Sequence, residues 1–128
     1  MKNIYVFPAI FLKEDDGYSV KFPDIDGAFT CGETFEEALL MAKDCLELNL
    51  DTIEEIPKIS ELDTIKLKKN EYIVMVQADM LSFKKKQDNQ LVKKTLSIPK
   101  WLNDLGTEKK INFSKLLQEA LMKNLKIE

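Results

Sequence analysis

The sequence predicts an α+β protein in two modules, a strand–strand–strand–helix–strand front and a strand–helix–helix back. Three observations lead there. Short β-prone runs separated by turn residues fill the first part of the chain, and one long amphipathic segment with a capping signature follows them. Residues 82–90 (SFKKKQDNQ) are polar and lysine-rich, and they mark a shift in composition. Beyond them a short alternating run, a proline and two helical repeats follow one another. A chain of 128 residues, 45% hydrophobic and 32% charged, has room for one or two small domains.

In the front module, Ile4 to Lys13 is apolar and β-rich, with Tyr5, Val6, Phe7, Ile10 and Phe11. Glu14-Asp15-Asp16-Gly17 is a hairpin turn, with Asp-Gly its strongest signal. Tyr18, Val20 and Phe22 then alternate with Ser19 and Lys21, as one strand face does with the other. Pro23 to Gly27 is a loop, and Ala28 to Cys31 a short third strand. Thr34 caps a helix, and Glu37 three residues on completes a capping box. The helix is expected from about Phe35 to Ile53, with Phe35, Ala38, Leu39, Ala42, Leu46 and Leu50 forming the stripe that lies on the sheet. Glu36, Leu40, Asp44, Glu47 and Asp51 share another side, an acidic stripe holding one leucine. Residues 55–70 read as irregular and are expected to wrap the sheet edge. Glu71 to Leu81 is β-prone and apolar on both sides, which predicts a central strand covered on both faces.

In the back module, Val92, Leu96 and Ile98 fall on one side of a strand, and Lys93, Thr95 and Ser97 on the other. Lys94 interrupts the apolar side. Pro99 ends the strand and suits the first turn of a helix carrying Trp101, Leu102 and Leu105, with a stop expected at Gly106. A second helix starts at Asn112 or Ser114 and runs towards Lys126, with Leu116, Leu117, Ala120, Leu121 and Leu125 at helical spacing. Such a unit of roughly 35 residues buries too little surface to stand alone, and its one strand has no backbone partner. Two chains pairing these strands antiparallel solve both problems. The face bearing Lys93, Thr95 and Ser97 is then an exposed ribbon of the width a DNA major groove accepts. The plainer reading of the same alternation is an edge strand with a solvated polar side.

Charge separates the modules. Residues 1–90 hold 11 lysines and 18 acids, net −7, whereas residues 91–128 hold 8 lysines and 4 acids, net +4. Partners of opposite charge are the expectation. Histidine and arginine are absent, which excludes imidazole catalysis, a Ser-His triad, histidine metal sites and bidentate arginine readout of guanine. Cys31 and Cys45 lack metal-type spacing and read as reduced thiols of a cytoplasmic protein. No run reaches the length of a membrane span, and the N-terminus lacks the plan of a signal peptide.

The run GYSVKFPDIDGAFTCGETFEEALLMAKDCLELNL resembles the N-terminal signature of HicB antitoxins, met at Gly17-Tyr18, Phe22-Pro23-Asp24, Gly27, Gly32-Glu33-Thr34 and Glu36-Glu37-Ala38-Leu39. The run VKKTLSIPKWLNDL, with INFSKLLQEAL after it, resembles their C-terminal ribbon–helix–helix domain, the fold of the Arc and MetJ repressors. The resemblance implies a partial RNase H-like sheet with one helix over residues 1–81, a linker over 82–90 and a dimeric DNA-binding domain over 91–128. It implies that Lys93, Thr95 and Ser97 contact bases, and that Asn112, Phe113 and Ser114 grip a phosphate through backbone amides. It further implies a HicA-like ribonuclease toxin as partner, neutralised by occlusion, and operator double-stranded DNA that the homodimer binds to repress its own operon. No reaction, cofactor or metal is implied. Asp24, Asp26, Leu40, Asp44 and Glu47 are the candidate toxin contacts, since an acidic surface is steered to an RNA-binding one. Two other readings are a toxin-independent repressor whose front domain senses a ligand or protein, and a metal-dependent RNase H-like nuclease. The second lacks converging carboxylates: only Asp79 lies well inside a predicted strand.

Overall fold

Strand β1, Ile4–Glu14, is the spine of an antiparallel four-stranded sheet ordered β3-β2-β1-β4, in which β2 is Gly17–Lys21, β3 Phe29–Gly32 and β4 Glu71–Asp79. The computed structural model describes residues 2–88 and 90–127. Helix α1, Phe35–Thr52, covers one face. Thr34 caps it by accepting a hydrogen bond from the Glu37 N–H at 3.1 Å. Phe7, Ala9 and Phe11 of β1, Val20 of β2 and Val76 and Ala78 of β4 meet Ala38, Ala42, Leu46 and Leu50 of the helix in one buried cluster. Each large apolar side chain so buried contributes about 1.5–3 kcal/mol. Phe35 and Leu39, expected on the same stripe, remain partly exposed; the Phe35 ring still reaches Phe11 and Tyr18, with centroids at 5.5 and 5.8 Å.

Close backbone approach explains two glycines of the front motif. A Cβ on Gly17 would lie 2.5 Å from the Gly32 carbonyl oxygen. One on Gly32 would lie 2.7 Å from the Cα of Ala38, against the backbone of the first turn of α1. The helix can therefore sit on β3 only because position 32 has no side chain.

Three expectations change here. β4 is an edge strand, not a central one; it is apolar on both sides because Val74, Val76 and Ala78 lie on the α1 face while Ile73 and Met75 lie on the other, where Met75 is left exposed. The strand stops at Asp79, and Met80–Gln87 form helix α2, so most of the 82–90 stretch expected as a linker is helical. Asn89, within that stretch, lies outside the described residues. The Asp79 carboxylate caps α2, accepting from the N–H of Ser82 at 3.1 Å and its hydroxyl at 3.0 Å. Residues 55–70 are irregular apart from a single 3-10 turn, Leu62–Thr64. They are tied at both ends of the sheet, Ser60 to Asp24 and the Asn70 carbonyl to the Lys13 N–H at 3.0 Å.

The chain divides into two compact units, Met1–Gln90 and Leu91–Glu128. The second holds helices α3, Lys100–Glu108, and α4, Phe113–Asn124. Gly106 does not stop α3 as expected. It sits inside the helix because Phe113 packs onto it: a Cβ there would lie 2.7 Å from the phenyl ring. The stop comes at Lys110, which takes the left-handed φ of 56° while Ile111 N–H closes back on the Gly106 carbonyl at 3.0 Å. Residues 91–99 are not a strand in the single chain, and among the described residues of their unit no other strand is present to pair with them.

Candidate functional site

Two surfaces carry the candidate residues, one in each unit. In the first, the Phe22–Ala28 loop is closed by the Phe22 N–H on the Ala28 carbonyl at 3.0 Å, with Ile25 pinned in the core and Gly27 at a φ of 77°. This holds Asp26 out to solvent. Asp24 does otherwise: its carboxylate accepts from the Ser60 N–H at 2.9 Å and from the Ser60 hydroxyl. It fastens the irregular segment and is itself partly buried.

On α1, Leu40 (66% exposed) and Asp44 stand one turn apart on the outer side. Leu48, a further turn along and also exposed, completes that row. The acidic stripe through Glu47 bypasses Leu48, although its four-residue spacing from Asp44 and eight from Leu40 places it on the same side of the helix. Glu47 itself is 5% exposed and is not a surface acid. Its Oε2 accepts from the Asp79 N–H at 2.7 Å and pairs with Lys43. Helical spacing could not reveal this, because the partner that buries Glu47 is the β4–α2 junction, 32 residues away. Asp44, Glu47, Leu48 and Phe83 with Lys86 and Gln87 line one groove between α1 and α2.

Replacing Glu47 by alanine is expected to destabilise the front unit by about 1–3 kcal/mol, since it strips a partly buried N–H of its acceptor. Glutamine, which keeps an acceptor oxygen, should recover part of that loss; equal midpoints for both variants in urea would refute the role. Two ionisable groups are perturbed. The Ser82 backbone N–H, then its hydroxyl, hold the Asp79 carboxyl below the usual carboxylate range, so the α2 cap stays charged at neutral pH. Burial pushes the Cys45 thiol up against a weaker opposing hydrogen bond from Asn49, which disfavours the thiolate. Among the described residues no three Cys, Asp or Glu side chains group so as to hold a metal ion, and no helix is long and apolar enough to cross a membrane.

In the second unit Lys93, Thr95 and Ser97 are all exposed. Lys94, Leu96 and Ile98, the alternate set, line an open groove with Phe113, Leu116, Leu117 and Ala120 of α4. The two sides of the segment are thus distinguished even without a strand partner. Asn112, not Ser114, caps α4, accepting from the Lys115 N–H at 3.0 Å. Phe113 packs its ring on Gly106, so its side chain serves α3–α4 packing and only its backbone faces the helix start. Among the described residues of this unit, Gly106 alone is fully buried. Trp101, Leu102, Leu105, Leu116 and Leu121 all remain exposed. Among the described residues this unit therefore leaves many apolar side chains exposed and has no core of its own.

A family model described as the HicB-like antitoxin of bacterial toxin–antitoxin systems matches residues 7–120. A 14.9 kDa protein from the rep-hol intergenic region of Haemophilus phage HP1 is 34% identical over 62 residues, 45% of this chain and 47% of that protein. Antitoxin HicB 2 of Photorhabdus laumondii is 47% identical over 45 residues, 35% of this chain and 32% of its own length. The chain thus spans about half or less of the curated relatives it matches. A solved toxin–antitoxin complex from Streptococcus pneumoniae contains a chain 31% identical, covering 94% of this chain and 99% of that one, with a TM-score of 0.59.

Proposed function

This chain belongs to the HicB-like antitoxin family, and from that footing we propose that it neutralises a small basic ribonuclease of the HicA kind by covering it. We further propose that two copies, joined through residues 91–128, bind operator DNA and repress their own operon. The solved relative from Streptococcus pneumoniae belongs to a toxin–antitoxin complex, which supports the first role. The observation that supports the second is the coreless C-terminal unit, whose exposed apolar side chains a second copy would cover. The proposed toxin-binding domain is residues 1–81, with α2 extending it by one helix beyond that bound. The site of action is the cytoplasm.

In this reading the toxin meets an acidic front unit, net −7, and Asp26, Leu40 and Asp44 with Leu48 are the exposed candidates for contact. Glu47 supports that surface from beneath, and Asp24 shapes the loop that presents Asp26. The chain performs no chemistry; the lack of histidine leaves catalysis to the toxin. Lys93, Thr95 and Ser97 reach base edges, while the backbone amides of Asn112, Phe113 and Ser114 meet a phosphate. Replacing Lys93 or Thr95 by alanine is expected to weaken specific operator binding by about 1–3 kcal/mol each. Titrations at fixed salt against operator and scrambled duplexes decide it; unchanged discrimination removes the residue from the reading face. Co-expression with the basic ribonuclease, followed by pull-down and growth rescue, tests the antitoxin role.

A further inference from the structure

The register of β4 determines which of its backbone groups leave the sheet. Met80 N–H donates to the Asn3 carbonyl at 2.9 Å, and Lys13 N–H to the Asn70 carbonyl at 3.0 Å. Alternation along an antiparallel ladder then turns the N–H of Tyr72, Val74, Val76 and Ala78 towards β1, and those of Glu71, Ile73, Met75, Gln77 and Asp79 outward. Both ends of that outward row are closed within the chain. Glu71 N–H donates to the Lys68 carbonyl at 3.2 Å, and Asp79 N–H to the Glu47 carboxylate at 2.7 Å. Between them the N–H groups of Ile73, Met75 and Gln77 have no strand alongside among the described residues. Edges are usually guarded by lysine, proline or a bulge, and β4 contains none of these. Tyr72 and Met75, 49% and 44% exposed, flank the opening on its two sides.

We propose that this five-residue window, Ile73 to Gln77, receives an extended strand from the basic ribonuclease partner, which continues the sheet beyond β4. The proposal rests on the antitoxin reading and deepens it by naming where the partner's backbone docks. Main-chain bonds of this kind give affinity with little demand on sequence, and the exposed side chains beside the window supply apolar contact. Charge selects the occupant. The front unit carries net −7, so a basic chain is attracted and a second copy is repelled. Self-pairing about a two-fold axis at Met75 would also set Glu71 opposite Asp79, like charge against like.

The test uses the full-length protein alone and with the basic ribonuclease that co-purifies with it. Amide hydrogen exchange at Ile73, Met75 and Gln77 is expected to slow on complex formation. Met75→Lys, which leaves every β1–β4 hydrogen bond in place, should weaken the complex by about tenfold or more. Gln77→Pro, which removes one outward N–H, should do the same while the β1–β4 pairing persists. A complex that forms with wild-type affinity in both variants, with the three amides unprotected, overturns the docking edge and leaves the antitoxin reading standing. Protection that appears without the ribonuclease and grows with protein concentration assigns the edge to a second copy and overturns the proposal. Failure of any basic ribonuclease to co-purify or be neutralised removes the antitoxin reading, and this inference with it.

Discussion

Replacing Leu96 and Ile98 together by lysine is expected to turn the protein into a monomer and to reduce operator binding to its non-specific level, a loss of roughly a thousandfold or more. The two side chains are about half exposed in the single chain, 56% and 46%, and they line the α4 groove from the apolar side of the ribbon segment. Completing their burial against a second copy contributes about 1 kcal/mol or more for each, and symmetry doubles the count. Lysine there removes that gain and brings four like charges to the centre of the interface. Added positive charge by itself strengthens non-specific attraction to DNA, so lost binding would report lost pairing and not lost electrostatics. Light scattering at micromolar concentration and a DNA titration measure both effects. A variant that stays dimeric, or a monomer that still discriminates operator from scrambled duplex, would sink the ribbon. The front unit keeps its own core in this variant, so toxin neutralisation should persist.

Gly32→Ala is expected to destabilise the front unit by about 3 kcal/mol. The new methyl would lie 2.7 Å from the Cα of Ala38 and 2.9 Å from the carbonyl carbon of Glu37. Both are backbone atoms of the α1 first turn, which no rotamer change can move aside. Relief requires lifting the helix from β3, and this opens the contacts of Ala38 and Ala42 with the sheet. Gly27→Ala separates crowding from backbone strain. Position 27 has nothing within 4 Å but holds a φ of 77°, so alanine there should cost only about 1–2 kcal/mol. Urea unfolding of the two variants gives the comparison. If Gly32→Ala proves the milder, the close approach of α1 to β3 is not what that glycine serves.

Several features were legible because their signals are local. The Thr34 cap on the Glu37 N–H, the Ala38–Leu50 stripe and the proline start of α3 depend on spacing within one or two turns, and all are present, although the return bond from the Glu37 side chain that would complete a capping box is not made among the described residues. Glu47 shows where such reading ends. It shares helical spacing with Asp44, yet the N–H of Asp79 draws it under the surface. The lysines of residues 84–86 look like linker, but Asp79 caps the turn before them and Phe83 packs against the core cluster, which together hold α2 as a helix. Gly106 reads as a stop until the ring of Phe113 is placed on it.

The front unit's order of three strands, helix α1 and strand β4, the two helices of the back unit, the split of charge and the apolar–polar alternation of residues 92–98 were legible in the sequence, since each follows from period and composition within a short window. Tertiary structure alone decided that β4 lies at the sheet edge, that Asp24 and Glu47 are tied inward, and that three amides of β4 are left facing out. Those outcomes hang on neighbours tens of residues distant. A strand looks the same in sequence whether it has one partner or two, and an acid looks the same whether or not a backbone N–H meets it.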